Sequence, residues 1–300
     1  MIKNFDEILN RLKVSDKPKT MAVVAAHDEH TIEAALNAQK RGIAVPILIG
    51  DKKKITRILE NEFNKPEIID EPDDEKACAI GVRLANKGEA QFVMKGNTDT
   101  KVILKALLND NPIKERENVF THISAISIPT YHKLLYITDG GMIPYPTLED
   151  KIKILKNASN FLCSLGYEEP KVAVLAAVEK YNPKLREVVE GVKLKEMAKK
   201  GEFGKCIVEA PISFDLIYQK EAAVIKKFES PVAGDADVIL TPDMCCGNIL
   251  AKSLSIAGGG IFSGIIYGAL YPIVLTSRSM SAEEKFSSIA LAALVKRRGL

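Results

Sequence analysis

Two stretches near the end of the chain place groups suited to holding an oxyanion directly after runs of apolar residues. In Pro272-Ile-Val-Leu-Thr-Ser-Arg278 a hydroxyl and a guanidinium stand side by side at Ser277 and Arg278. A planar guanidinium fork can take two oxygens of one phosphate, and the adjacent hydroxyl can donate to the same group. The bland alternative for Arg278 is a surface ion pair with Glu283 or Glu284, and the residues alone leave both readings open. In Gly234-Asp-Ala-Asp-Val-Ile-Leu-Thr-Pro-Asp-Met-Cys-Cys-Gly-Asn248 a second apolar run, Val238 to Leu240, leads into a polar loop carrying Asp243 and Asn248.

Glu284 also has two readings. Ser281-Ala-Glu-Glu284 fits the capping box that opens a helix, here an apolar one predicted over Phe286 to Val295. A carboxylate close to Arg278 could equally serve as a general base. Gly96-Asn-Thr-Asp-Thr100 is a turn-rich loop ahead of a predicted helix, Val102 to Leu108, and its backbone N–H groups could cradle an anion. Lys105 lies one turn inside that helix, either assisting there or simply solvated. His27-Asp-Glu-His30 has a metal-like spacing, but no third ligand can be assigned, and acidic residues at a helix start are explained by the helix dipole. The Cys245-Cys246 pair has no assignable histidine to activate it as a nucleophile.

The elements that position these groups read as alternating strands and helices. Val238 to Leu240 and Ile273 to Leu275 are continuous rather than alternating apolar runs, as expected for parallel strands covered on both faces. Ligands in such sheets gather outside the carboxyl ends of the strands. The pattern opens with an amphipathic helix from Phe5, a strand at Met21 to Ala26, a helix at Glu33 to Arg41 stopped by Gly42, and a strand at Ile43 to Gly50. Helices at Lys52 to Glu62 and Asp74 to Lys87 and strands at Glu67 to Asp70 and Ala90 to Met94 continue it. Ile123 to Ile128 and Lys133 to Thr138 read instead as an antiparallel pair. The α/β order resumes with a helix at Leu148 to Leu165, a strand at Lys171 to Leu175, a helix at Pro183 to Lys199 and a strand at Cys206 to Glu209. The fold class expected is therefore α/β.

Three hundred residues accommodate two domains, each with its own core. The formal charge of +3 is spread along the chain, without the basic stripe that nucleic-acid binding requires. Five cysteines, odd in number and scattered, fit neither a disulfide framework nor a zinc site, and point to a reducing, cytoplasmic setting. The charged N-terminus does not resemble a signal peptide. Ser253 to Ser277 carries no charge and holds Gly260, Gly264 and Gly268 at the spacing of transmembrane helix contacts. The run Gly258 to Gly260 and Pro272 would interrupt a spanning helix, so a short helix packed through its glycines, followed by a strand, is expected instead.

Taken together, these residues resemble the phosphate acetyl/butyryltransferase family, and within it the butyryl branch. The resemblance runs over most of the chain through Gly42 to Asp51, Lys171 to Glu179 with Asn182-Pro-Lys184, Ser230 to Asp237, Gly247-Asn248, Lys252-Ser253 and Ile273 to Arg278. It implies two three-layer α/β domains with a cleft between them, of the isocitrate/isopropylmalate dehydrogenase kind. Their approximate bounds are 1–129 with 275–300, and 130–274. The resemblance further implies reversible conversion of butanoyl-CoA and phosphate to butanoyl phosphate and coenzyme A, in a homodimer that uses no metal and no cofactor other than coenzyme A as substrate. In the acetyl branch a Ser-Arg pair is followed, six residues after the Arg, by an Asp proposed as base, which carries the catalytic roles onto Ser277, Arg278 and Glu284. Substrate-binding roles fall on Thr98, Lys105, Asp243, Gly247 and Asn248, the Lys105 position being Arg in the acetyl branch. Acetyl transfer is the alternative within the family. An NAD- and metal-dependent hydroxy-acid dehydrogenase of the same architecture is the alternative outside it, although neither a paired-aspartate metal site nor a dinucleotide fingerprint is seen.

Overall fold

The apolar runs form parallel strands, and the helices between them cover the strands as the alternation requires. The structure, a computed structural model, describes residues 1–14, 17–110, 119–277 and 280–297. Arg278 lies outside the described residues. The chain divides into two compact units. One, called here the N-terminal unit, comprises Phe5–Asn118 and Ser263–Leu300, and the other, the central unit, comprises Met1–Asn4 and Val119–Phe262.

In the N-terminal unit β1 (Lys19–Val24), β2 (Ala44–Gly50), β3 (Glu67–Asp70), β4 (Phe92–Lys95), β10 (Ile261–Tyr267, in this unit from Ser263 onward) and β11 (Ile273–Val274) lie in the order β3-β2-β1-β4-β11-β10. All neighbours are parallel except β10 and β11. Met21 to Val24 and Phe92 to Met94 are fully buried, which is why these strands read as unbroken apolar runs. The helices are α1 (Phe5–Lys13), α2 (Glu29–Lys40), α3 (Lys52–Ile58), α4 (Asp74–Lys87), α5 (Thr100–Asn109) and α11 (Ala282–Leu294). Their ends follow local chemistry. Asp28 and Asp73 accept backbone N–H bonds at the starts of α2 and α4, and Gly88 closes α4 at φ 81°, a left-handed conformation that a Cβ would strain.

The central unit is built on β5 (Thr121–Ser127), β6 (Leu135–Thr138), β7 (Lys171–Leu175), β8 (Ile207–Ile212) and β9 (Val238–Leu240), in the order β5-β6-β9-β7-β8. β5 and β6 are antiparallel, as their short connection predicts, and the others are parallel. Its helices are α6 (Leu148–Ser164), α7 (Arg186–Lys199), α8 (Phe214–Tyr218), α9 (Lys220–Lys226) and α10 (Met244–Lys252). Lys133 is 1% exposed, and its ammonium lies 2.6 Å from Asp237 and 2.8 Å from Asp235. Lys171 pairs with Asp235 as well, and its backbone N–H reaches Asp237 at 2.7 Å. The two aspartates of the Gly234 to Asp237 motif thus tie the entry of β9 to β7 and to the segment before β6. Burial alone would raise the Asp235 carboxyl, but hydrogen bonds from Lys133, Lys171 and His132 outweigh it and hold the group well below the usual carboxylate range.

Two expectations are corrected. The glycine-rich segment after Ser253 makes one π-helical turn (Ser253–Ala257) and then the strand β10, not a short glycine-packed helix. Ile261, Phe262, Ile265, Ile266 and Tyr267 are β-branched or aromatic, and this side-chain content overrides the glycine spacing. The polar loop after Leu240 is also shorter than expected, because Asp243 caps α10 by accepting from the Cys246 N–H at 2.8 Å, which leaves Gly247 and Asn248 in the first turns of a helix. No helix among the described residues is long and apolar enough to cross a membrane.

Candidate active site

In the N-terminal unit three strand ends carry predicted site residues or their neighbours. The loop after β4 starts at Gly96, where a Cβ would sit 2.5 Å from the carbonyl oxygen of Ala25 and 2.8 Å from that of Val24. Glycine is therefore required for the loop to lie against the end of β1, where the Gly96 and Asn97 N–H groups bond to the Val24 and Ala25 carbonyls at 2.8 and 3.0 Å. Lys95, buried at the end of β4, donates to the carbonyls of Gly96 (3.0 Å) and Thr98 (2.8 Å). Thr98 is itself buried, so it belongs to the base of the loop.

Ser277 follows β11 and is exposed, and its carbonyl accepts from the Met280 N–H at 3.2 Å. Glu284 forms the capping box in full: Ser281 Oγ accepts from the Glu284 N–H at 3.2 Å, while Glu284 Oε2 accepts from the Ser281 N–H at 3.1 Å. The geometry of the capping reading is thus present, and it leaves Glu284 half-buried with one carboxylate oxygen engaged at the helix start. Beside it Lys285, 3% exposed, lines a cavity of about 280 Å³ together with Asp28, Glu29, His30, Gly96 and Asn97. Burial pushes the Lys285 ammonium below its usual range, and the charges of Asp28 and Glu284 act against that shift.

Lys105 is placed elsewhere. It is exposed on α5 and pairs with Glu75 of α4 at 3.1 Å, in a groove between these helices whose lining includes neither Gly96 nor Asn97. The His27 to His30 spacing does not produce a ligand cluster: Asp28 caps α2, Nδ1 of His27 is buried without a hydrogen-bond partner, and among the described residues no group of three or more His, Cys, Asp or Glu is arranged to hold a metal.

In the central unit Asp243, Gly247 and Asn248 meet the segment that follows β6. A Cβ on Gly247 would lie 2.7 Å from the Asp139 carbonyl oxygen, 2.8 Å from Thr241 Oγ1 and 2.9 Å from Gly140 Cα. The Asn248 amide donates to the Gly140 carbonyl at 3.2 Å. This segment is organised by Asp139, a residue that the sequence reading did not single out. Its buried carboxylate accepts the N–H groups of His122 (3.3 Å), Gly141 (2.8 Å), Met142 (2.9 Å) and Ile143 (3.1 Å). Burial nevertheless pushes the Asp139 carboxyl up to about 6, against the pull of those four bonds. Burial likewise lowers the neighbouring His122 to about 4, so that it is a neutral imidazole at neutral pH. The missed signal was Asp139-Gly-Gly141 directly after an apolar strand, the same strand-end arrangement that drew attention to Asp243. Burial raises the Cys246 thiol, with Asp243 adding to the effect, so this residue is protonated and poorly suited to nucleophilic attack.

Comparison with known proteins shows the family. Residues 61–293 match the family model described as Phosphate acetyl/butaryl transferase. The chain is 38% identical over 98% of its length to a phosphate butyryltransferase of Clostridium acetobutylicum, covering 99% of that protein. It is 38% identical over 93% of its length to a phosphate acetyltransferase of Thermotoga maritima, covering 95% of it. Among solved structures, it resembles a branched-chain phosphotransacylase from Enterococcus faecalis, with a TM-score of 0.82 and 27% identity, over 92% of this chain and 98% of the other.

Proposed function

The chain belongs to the phosphate acetyl/butaryl transferase family, and from that premise we propose that it moves a short acyl group reversibly between coenzyme A and inorganic phosphate. The observation that carries the proposal is likeness over nearly the whole chain to enzymes named for this one reaction. In the direction of thioester synthesis the thiol of coenzyme A loses its proton and attacks the acyl phosphate carbonyl. A C–S bond forms, the bond from the acyl carbon to the bridging oxygen breaks, and phosphate leaves with that oxygen and the electron pair. A free thiol of pKa about 8.5 is only a few per cent thiolate at neutral pH, so a carboxylate that takes its proton accelerates the attack.

In the proposed division of labour Glu284 is that base, while Ser277 and Arg278 hold the phosphate and stabilise charge as it departs. Thr98 supports the Gly96 loop through its carbonyl, which anchors Lys95. Asp243, Gly247 and Asn248 contribute substrate contacts from the start of α10, and Lys105 contributes charge from α5. The enzyme is further proposed to act as a cytoplasmic homodimer of the isocitrate/isopropylmalate dehydrogenase-like architecture, with no cofactor other than its substrate coenzyme A.

Butanoyl is the proposed acyl group. Acetyl is the second reading, favoured by the equal identity to the Thermotoga maritima enzyme. Each methylene taken into an apolar pocket is worth about 0.8 kcal/mol, so two methylenes give roughly tenfold or greater discrimination in kcat/KM. Phosphate-dependent thiol release from acetyl-, butanoyl- and isobutanoyl-CoA tests both levels. No release from any of them refutes the function, and a clear acetyl preference selects the second reading.

A further inference from the structure

Lys285 stands out because a buried ammonium has three protons to place and little here to receive them. It is 3% exposed, and among the described residues the one hydrogen bond of its ammonium is to the Ser277 carbonyl, at 3.5 Å the longest geometry that still counts as one. Among the described residues no carboxylate lies within ion-pair distance of its Nζ. The other buried lysines contrast with it. Lys133 is held by Asp235 and Asp237, Lys151 by Glu190 at 2.7 Å, and Lys95 by two carbonyls. An under-coordinated buried cation is costly to keep unless something binds it.

Its position indicates what binds. Among the described residues Lys285 is the one lysine or arginine lining the cavity formed with Asp28, Glu29 and His30 at the start of α2 and the Gly96-Asn97 loop. The residue whose carbonyl it touches is Ser277, to which the proposed function gives the phosphate. Burial lowers its affinity for the proton, while the charges of Asp28 and Glu284 favour the charged form without making a close ion pair.

We infer that Lys285 is a phosphate-binding residue, donating charge-assisted hydrogen bonds to the oxyanion held at Ser277. This rests on the reading of the protein as a phosphate acyltransferase. It also accounts for why a lysine is buried in the first turn of α11, directly ahead of the buried stretch Phe286 to Ala293.

The test is the set Lys285→Gln, Lys285→Met and Lys285→Arg, with KM for inorganic phosphate and KM for butanoyl-CoA measured separately and folding followed by thermal melting. Losing one or two charge-assisted bonds should raise the phosphate KM on the order of ten- to hundredfold in the Gln and Met variants. The KM for butanoyl-CoA should stay within about twofold, and the Arg variant should recover part of the loss. Melting temperature should hold or rise, since a buried charge has been removed. An unchanged phosphate KM overturns the inference, as does an equal rise for butanoyl-CoA. If neither Gln nor Met folds, Lys285 is a structural cation and the inference also fails. Wild-type protein without phosphate-dependent thiol release would instead overturn the proposed function itself.

Discussion

Replacing Gly247 by Ala sets two opposed effects against each other, and the structure says which wins. Gly247 lies in the first turns of α10, where Ala is favoured over Gly by about 1 kcal/mol on helix propensity alone. The new methyl would approach the Asp139 carbonyl oxygen at 2.7 Å, Thr241 Oγ1 at 2.8 Å and Gly140 Cα at 2.9 Å, against an optimum of about 3.5–4.0 Å for carbon contacts. Two of these three atoms are backbone, in a segment pinned by four N–H bonds to the Asp139 carboxylate, so they cannot move aside freely. Overpacking costs about 1–3 kcal/mol, and this site should lie at the upper end of that range. The expected net effect is destabilisation by about 2 kcal/mol, read as a lower urea midpoint with an unchanged m-value. Activity should fall further than stability, because displacing Gly140 breaks its 3.2 Å bond from the Asn248 amide. Stabilisation by about 1 kcal/mol, the propensity result, would refute the close approach of α10 to the Asp139-Gly140 segment.

Three further outcomes follow from the same account. Glu284→Gln should reduce turnover on the order of 10²- to 10⁴-fold with little change in melting temperature, whereas Ser281→Ala should cost about 1 kcal/mol of stability and leave turnover largely intact; matching losses of stability without loss of rate in both variants would reduce Glu284 to a helix cap. Arg278→Ala should lower kcat by about 10²- to 10³-fold, the range for removal of an oxyanion donor, and near wild-type turnover would remove it from the site. Asp237→Ala leaves the Lys133 ammonium buried beside a lost partner and should destabilise the protein by about 3–5 kcal/mol in urea melts, a loss under 1 kcal/mol contradicting the assigned network. The same network predicts a pH dependence of stability. A carboxyl held low in the folded state, as Asp235 is, contributes stability at neutral pH that declines as the pH falls below its unfolded value of about 3.9.

The sequence pattern carried the parallel strands because burial on both faces leaves an unbroken apolar run, and β9 begins and ends where Val238 to Leu240 does. It carried the capping box at Ser281 because that motif is local, with all its partners within four residues. Where partners are distant in sequence, the pattern failed. Lys133 and Asp237 are 104 residues apart, and nothing near either one announces the pair. Lys285 stands in a charged first turn, and its burial depends on the packing of α11 against α1 and α2, which are distant in sequence. Asp139 is marked in the sequence only by its place after an apolar strand, because its four partners are backbone N–H groups, which no side-chain pattern encodes. In β10 the glycine spacing suggests a packed helix, while the β-branched and aromatic content sets a strand.

The most direct test of the central claim is the identity of the phosphorylated product. Incubation of the protein with butanoyl-CoA and inorganic phosphate, followed by ³¹P NMR, should show an acyl phosphate resonance growing in proportion to free thiol and reverting when excess coenzyme A is added. Thiol release without an acyl phosphate, or at the same rate without phosphate, would identify a thioester hydrolase and contradict the account.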